Sequence, residues 1–442
     1  MSRPQLRSGD RLPRVVRRPP GPRSRLLAES LERFEAPGVN TLFGGRPGIV
    51  WQEAVGANVL DVDGNLYIDL TAGFGVAAVG HRRPEVVAAV SKQSGLLLHG
   101  LADVAAHPAR IALAERLAGI VPVADAQIYF AVSGSDAVEI ALATAWLSTG
   151  RRGTVAFEPA YHGTTLGALA ATSRPAFREP FLEQLNPHID RLPHGCDPAD
   201  LESLLDGRDD VAALLVEPVP GREGAPLPPA GWLSAIADCC RRHEVLLIAD
   251  EIFSGLGRTG AWFACQEEDV VPDLLCCGKA LGGGLPIAVV AGRTDLLACW
   301  QRGGEALHTA TFIAHPLACA AALATLDVLS EEDLPARARR LGDMLAARAS
   351  TWQRQGSVSE VRGRGLFWVV EIESAARAAE LAERALGRGL ILLASGSRLQ
   401  MAPPLTITER QWNHCLATLE ELIAAPGELR LPPADGPSAG RG

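Results

Sequence analysis

The sequence contains almost no lysine. Its 442 residues include only Lys92 and Lys279, and arginine carries the rest of the positive charge. A guanidinium stays protonated and cannot form a Schiff base, whereas a lysine amine can lose its proton and attack an aldehyde. Amine chemistry is therefore confined to two positions. The chain also lacks any uninterrupted apolar run of about 18 residues, the length a membrane-spanning helix needs, so no membrane association is expected. Its nine cysteines form no CxxC pair and no metal-ligand spacing, because Cys239-Cys240 and Cys276-Cys277 are merely adjacent. Reduced, buried thiols in a cytoplasmic protein follow, with no metal. No internal repeat is present. A net charge of -9 argues against nucleic acid as a partner for the body of the protein. What is there, 47% hydrophobic and 21% charged residues, describes a globular chain long enough for a large core in two lobes.

Residues 1–25 are rich in arginine and proline and too poor in apolar residues to pack, so a disordered arm is expected. A signal peptide would need an apolar stretch of about 7 to 15 residues after the basic part, and Leu26-Leu27-Ala28 is interrupted at once. Residues 429–442 are expected to be a disordered tail. Val59 to Leu70 reads as a hairpin turning at Asp63-Gly64. From about residue 80, the short apolar runs Gln127–Val132, Thr154–Phe157, Ala212–Val216, Val245–Ala249 and Leu274–Cys277 alternate with helical patterns. That alternation predicts an α/β fold, a mostly parallel central sheet flanked by helices. After Pro316 the pattern is mainly helical, with Ala318–Leu329 as a long apolar helix.

Ligands of parallel sheets collect at the carboxyl ends of the strands. Ser133-Gly134-Ser135 opens a helix after one strand, where free backbone N–H groups and the helix dipole suit a phosphate; serine capping alone would also explain it. Tyr161-His162-Gly163 follows the next run. Tyr161 can stack on a flat ring, while His162 reads equally as a structural histidine. Glu217-Pro218 ends a third run, and Glu217 is either a ligand contact or a solvated carboxylate. Asp250-Glu251-Ile252 ends the most apolar strand, so Asp250 must be paired or solvated, with a cation as the expected partner. Lys279 follows 29 positions later in Gly278-Lys279-Ala280-Leu281-Gly282-Gly283-Gly284, which places the two as neighbours across the sheet. Gly255-Leu256-Gly257-Arg258-Thr259-Gly260 matches the dinucleotide pattern GxGxxG, but no convincing apolar helix follows it.

Together these motifs resemble the class III (omega-type) aminotransferases, pyridoxal 5'-phosphate enzymes of fold type I, from about residue 38 to 425. The early Asp63-Gly64, Tyr67, Asp69-Leu70 and Gly80-His81 pattern agrees. The resemblance implies a large cofactor-binding domain over 80–328 and a smaller α+β domain built from both chain ends, 26–79 and 329–428. It implies that Lys279 binds the cofactor aldehyde and then shuttles the proton, and that Asp250 keeps the pyridine nitrogen protonated. Tyr161 and Ile252 would flank the ring, with His162 and Glu217 also at the cofactor. Gly134 and Ser135 would seat the phosphate, and Thr311 would reach the phosphate of a neighbouring subunit in a homodimer with shared sites. The expected reaction moves an amino group from an amine or amino acid to a keto acid by a ping-pong route. An aminomutase or racemase of the same fold, or an inactive binding protein, are the rivals.

Two departures bear on the substrate. Many members of the family place an arginine where Gln400 stands, with Arg398 two residues away, and a glutamate that pairs with it where this chain has Pro220-Gly221-Arg222. Both partners differ together, so Arg222 is expected to replace the missing carboxylate anchor. The Gly-Gly-Asn common after the Thr-Phe motif is Ile313-Ala314-His315 here.

Overall fold

The computed structural model describes residues 6–38, 48–354 and 358–425. Trp51–Val55 (β1), Asn58–Asp61 (β2) and Leu66–Asp69 (β3) form an antiparallel meander. The turn between β2 and β3 carries Asp63-Gly64, with Gly64 at φ 90°, a left-handed conformation that glycine adopts without steric cost. The main sheet comprises Ala126–Ala131 (β4), Gly153–Glu158 (β5), Ile189–Pro193 (β6), Val211–Val216 (β7), Leu246–Asp250 (β8), Leu274–Cys277 (β9) and Ala288–Arg293 (β10), in the order β4-β10-β9-β8-β7-β5-β6. Only β10 runs against its neighbours. A second antiparallel sheet contains Glu360–Arg364 (β11), Phe367–Glu371 (β12), Leu393–Ser395 (β14) and Arg398–Met401 (β15), while Leu390–Ile391 (β13) pairs in parallel with β3. Both ends of the chain thus contribute to one small sheet.

Side chains alternate across the main sheet with period two. Leu215, Ile248, Cys276 and Val290 pack into one apolar cluster with Ala137, Ile140 and Ala141 of the helix Gly134–Thr149. Leu214, Leu247, Cys277 and Val289 belong to the cluster on the other face, which also takes in the helix Pro316–Glu331. Because both faces are covered, β7 is buried along its whole length, as its unbroken apolar sequence requires. Adjacent Cys276 and Cys277 therefore point to opposite clusters, and all nine cysteines are free.

The expectation of a disordered arm at 1–25 fails for residues 6–25; residues 1–5 and the tail at 429–442 lie outside the described residues. Arg14 and Leu66 exchange both backbone hydrogen bonds, at 2.8 and 2.9 Å. Asn58 Oδ1 accepts from Arg11 N, Asn65 Oδ1 from Val16 N and Arg17 N, and the Asp63 carboxylate from Arg23 N and Ser24 N, all at 2.8–2.9 Å. The segment is held by its backbone on polar acceptors of β2 and the β2–β3 turn, so apolar content was the wrong measure of its order.

Candidate active site

Four strand ends of the main sheet open toward one another. β8 and β9 are parallel neighbours with Asp250 opposite Cys276, and Lys279 lies three residues beyond. Lys279 has φ 40°, sterically costly for a residue with a side chain, and such strain is retained where the surroundings fix it. Its amine lies 5.1 Å from the centre of the Phe253 ring. Burial pushes the amine below its ordinary proton affinity, and the Arg222 charge adds to this, against the opposing pull of Asp250 and Glu217. A larger share of unprotonated amine, the nucleophilic form, results.

Asp250 is buried at the end of β8 and is paired with an imidazole: its Oδ2 accepts from His162 Nδ1 at 2.7 Å, while Oδ1 accepts from Ile252 N at 3.1 Å. A carboxylate can only accept, so the proton of that short contact sits on Nδ1. The Nε2 of His162 is buried with no hydrogen-bond partner among the described residues. Glu217, just past β7, accepts from Tyr161 N through Oε1 and from Gly221 N through Oε2, both at 2.8 Å. Burial pushes its carboxyl up to about 7; the charge of Asp250 adds to this, while His162 and the two N–H groups oppose it. One carboxyl thus ties the loop after β5 to the loop after β7.

Ser133 caps the helix Gly134–Thr149 by accepting from Asp136 N, which leaves the backbone N–H groups of Gly134 and Ser135 without intrahelical acceptors. The Ser135 hydroxyl accepts from Thr164 N and Thr165 N. Gly163 has φ 135°, and a Cβ there would strike the Ser135 side chain, so the loop carrying Tyr161 can close on the helix start only with glycine at this position. A Cβ at Gly134 would lie 3.0 Å from Ile252, which fixes how closely the helix start approaches the end of β8.

The structure therefore gathers Lys279, Asp250, His162, Ile252, Glu217, Tyr161, Gly134 and Ser135. The donor set fits pyridoxal phosphate: an amine for the aldehyde, a carboxylate for the ring nitrogen, an aromatic and an aliphatic side chain for its faces, and N–H groups for the phosphate. Thr311 is exposed and makes no hydrogen bond to this group. The loop before it is tethered, since His308 Nε2 meets Asp136 Oδ1 at 2.7 Å and Tyr129 OH donates to His308 O at 2.6 Å.

Of the expected substrate residues, Arg222 is exposed, with its guanidinium 4.7 Å from the Tyr161 ring centre and 5.1 Å from that of Phe177. Gln400 donates to Gly221 O at 3.0 Å, and Arg398 donates to Glu223 O, so both are engaged with the backbone of the Arg222 loop. Phe177 and Arg174 went unnoticed in the sequence; nothing there marks a phenylalanine in the short helix Pro175–Arg178 as the seat of an arginine 45 positions away. The GxGxxG segment is a run of turns, with no α-helix after it. Its Arg258 is buried and donates to Leu366 O at 2.9 Å, which makes the loop a brace to the C-terminal strands.

Residues 44–423 match the sequence profile of the family described as aminotransferase class-III. An acetylornithine aminotransferase of Methanopyrus kandleri is 41% identical over 373 residues, covering 84% of this chain and 93% of that protein. Among solved structures, the ornithine aminotransferase of Toxoplasma gondii superposes with a TM-score of 0.82 at 28% identity, over 89% of this chain and 93% of that one. An amine transaminase from an uncultivated Pseudomonas species, in its PLP-bound form, gives a TM-score of 0.82 at 29% identity, over 89% and 98%.

Proposed function

The chain belongs to the class III aminotransferases, and from that membership we propose how its residues divide the work of moving an amino group from an amine or amino acid to a keto acid. The cofactor is pyridoxal phosphate, and the fold is fold type I. When bound, the cofactor supplies an aldehyde and a ring that accepts electrons. Lys279 would hold the aldehyde, and its amine would take and return the proton of the substrate carbon, a task suited to an amine whose proton affinity is lowered. Asp250, fixed by His162 Nδ1, holds the proton on the pyridine nitrogen. Tyr161 and Ile252 would flank the ring, Glu217 positions the Tyr161 backbone, and Gly134 and Ser135 would bind the phosphate.

The single observation that carries this reading is the placement, at adjacent strand ends, of Lys279 and a histidine-braced aspartate. Incubation with one amine and no keto acid tests it. The bound cofactor should pass to the pyridoxamine form and stay there until pyruvate or 2-oxoglutarate is added. Unaided return of the aldehyde absorbance would instead mark a racemase or aminomutase, and a protein that binds no cofactor would mark an inactive relative.

The same proposal includes a homodimer with shared sites, in which Thr311 reaches the partner's phosphate. It is supported by an exposed apolar surface near that loop in sequence or contact, including Leu307 and Phe312 beside Thr311 and Leu96, Leu98 and Leu101, whose segment meets Phe312 through His99. Sedimentation should give twice the chain mass; a monomer that transfers amino groups at full rate would contradict it. The cytoplasmic assignment rests on nine free thiols, and among the described residues no helix is long and apolar enough to cross a membrane. The protein should fractionate with the cytosol.

A further inference from the structure

Arginines crowd the loop that follows Glu217, and all but one have an anionic or carbonyl partner. Arg174 Nε pairs with Glu223 at 2.6 Å, and Arg362 pairs with Glu360 and Glu371 at 2.6 and 2.9 Å. Arg398 donates to the carbonyl of Glu223. Arg222 makes no ion pair among the described residues. The two acids of its loop are spent, Glu223 on Arg174 and Glu217 on the backbone N–H groups of Tyr161 and Gly221. Gln400, the side chain bonded to the carbonyl of Gly221, is neutral.

The backbone around Arg222 is fixed at several points. Gly221 is bonded on both sides, through its N–H to Glu217 and its carbonyl to Gln400. The Arg222 carbonyl accepts from Arg174 at 3.1 Å and the Gly224 carbonyl from Arg362 at 2.7 Å. Among the described residues the guanidinium itself rests only on the faces of Tyr161 and Phe177. Cation–π contacts at exposed positions are weaker than a charge-assisted, two-pronged hydrogen bond to a carboxylate, so an incoming carboxylate can take the guanidinium without breaking any ion pair. Its charge already bears on the Lys279 amine.

We propose that Arg222 is the carboxylate receptor of this active site, an unpaired guanidinium parked on Tyr161 and Phe177 that grips the carboxylate of the amino acid or keto acid presented to Lys279. This deepens the aminotransferase reading and rests on it. It places the receptor on the loop after β7, where the expected position on β15 carries only neutral Gln400, and it makes the aromatic pair the resting seat of the arginine when the substrate has no carboxylate. The active site should therefore separate substrates by whether they bear that group.

The test compares Arg222→Ala and the more nearly isosteric Arg222→Gln with the parent as cofactor-loaded enzymes. The KM for 2-oxoglutarate and pyruvate is expected to rise about 10- to 100-fold, the range for loss of a charge-assisted pair, with kcat within a few-fold. The half-reaction of a donor amine without a carboxylate should change far less, with its rate and concentration dependence within a few-fold of the parent, because that substrate loses no contact and feels only the smaller effect of the Arg222 charge on Lys279. An unchanged keto acid KM in both variants, or an equal loss for the carboxylate-free amine, overturns the assignment of Arg222. Failure of the parent protein itself to take up pyridoxal phosphate overturns the aminotransferase reading, so the two failures are distinguishable.

Discussion

Lys279→Ala is expected to reduce amino transfer by at least about 10⁴-fold, because one substitution removes both the covalent partner of the cofactor and the proton carrier. No other amine is available to replace it. The only other lysine, Lys92, is exposed on the last turn of the helix Pro84–Ser94. The variant should also lose the visible absorbance of the covalently held cofactor, while the fold persists because the apolar core does not depend on the ammonium. Lys92→Ala serves as the control and should retain both colour and rate. Comparison of single-turnover rates and absorption spectra across the two variants checks the expectation. Residual colour or turnover near the parent value in Lys279→Ala would remove Lys279 from its role.

The parts of this site that were legible in the sequence share one property: each is a polar residue that ends an apolar run. Asp250 after Leu246-Leu247-Ile248-Ala249 and Glu217 after Val211–Val216 stand out because burial of the preceding strand leaves the chain only one place to put a charge. Lys279 was visible because lysine is so scarce. The roles that depend on pairing were not legible. His162 on its own could be read either as structural or as functional; the resemblance put it at the cofactor, but its 2.7 Å contact with Asp250, 88 positions away, was not legible. The resting seat of Arg222 on Phe177 is likewise a contact between loops that no periodicity records. Among the strands, β6 escaped notice because Ile189-Asp190-Arg191-Leu192-Pro193 lies at the sheet edge with polar residues and a proline, and β10 because it reverses direction within an otherwise parallel pattern. The N-terminal segment was misread because its order comes from Asn58, Asp63 and Asn65 on the meander, and its own composition carries no trace of them.

Asp250→Asn should separate cofactor binding from catalysis. The amide is nearly the same size as the carboxylate, and its single oxygen can still accept from His162 Nδ1, while its NH2 group takes the place of the oxygen that accepts from Ile252 N, so the site gives up only that 3.1 Å contact. What is lost is the negative charge that holds a proton on the pyridine nitrogen. Loss of one preorganised electrostatic contact of this kind costs about 10²- to 10³-fold in kcat. Because Lys279 is intact, the visible absorbance should remain, the opposite signature to Lys279→Ala. A second readout follows from Glu217, whose carboxyl is pushed up to about 7 first by burial and also by the charge of Asp250. Neutralising Asp250 removes that repulsion, so the Glu217 titration should move down toward the ordinary carboxylate range. His162→Gln removes a charge that opposes the rise and should move it up. The infrared band of the protonated carboxyl, followed against pH in the parent and both variants, measures the two shifts. Movement in the same direction, or an Asp250→Asn enzyme with parent kcat, would show that the carboxylate at the end of β8 does not govern the electrostatics of this site.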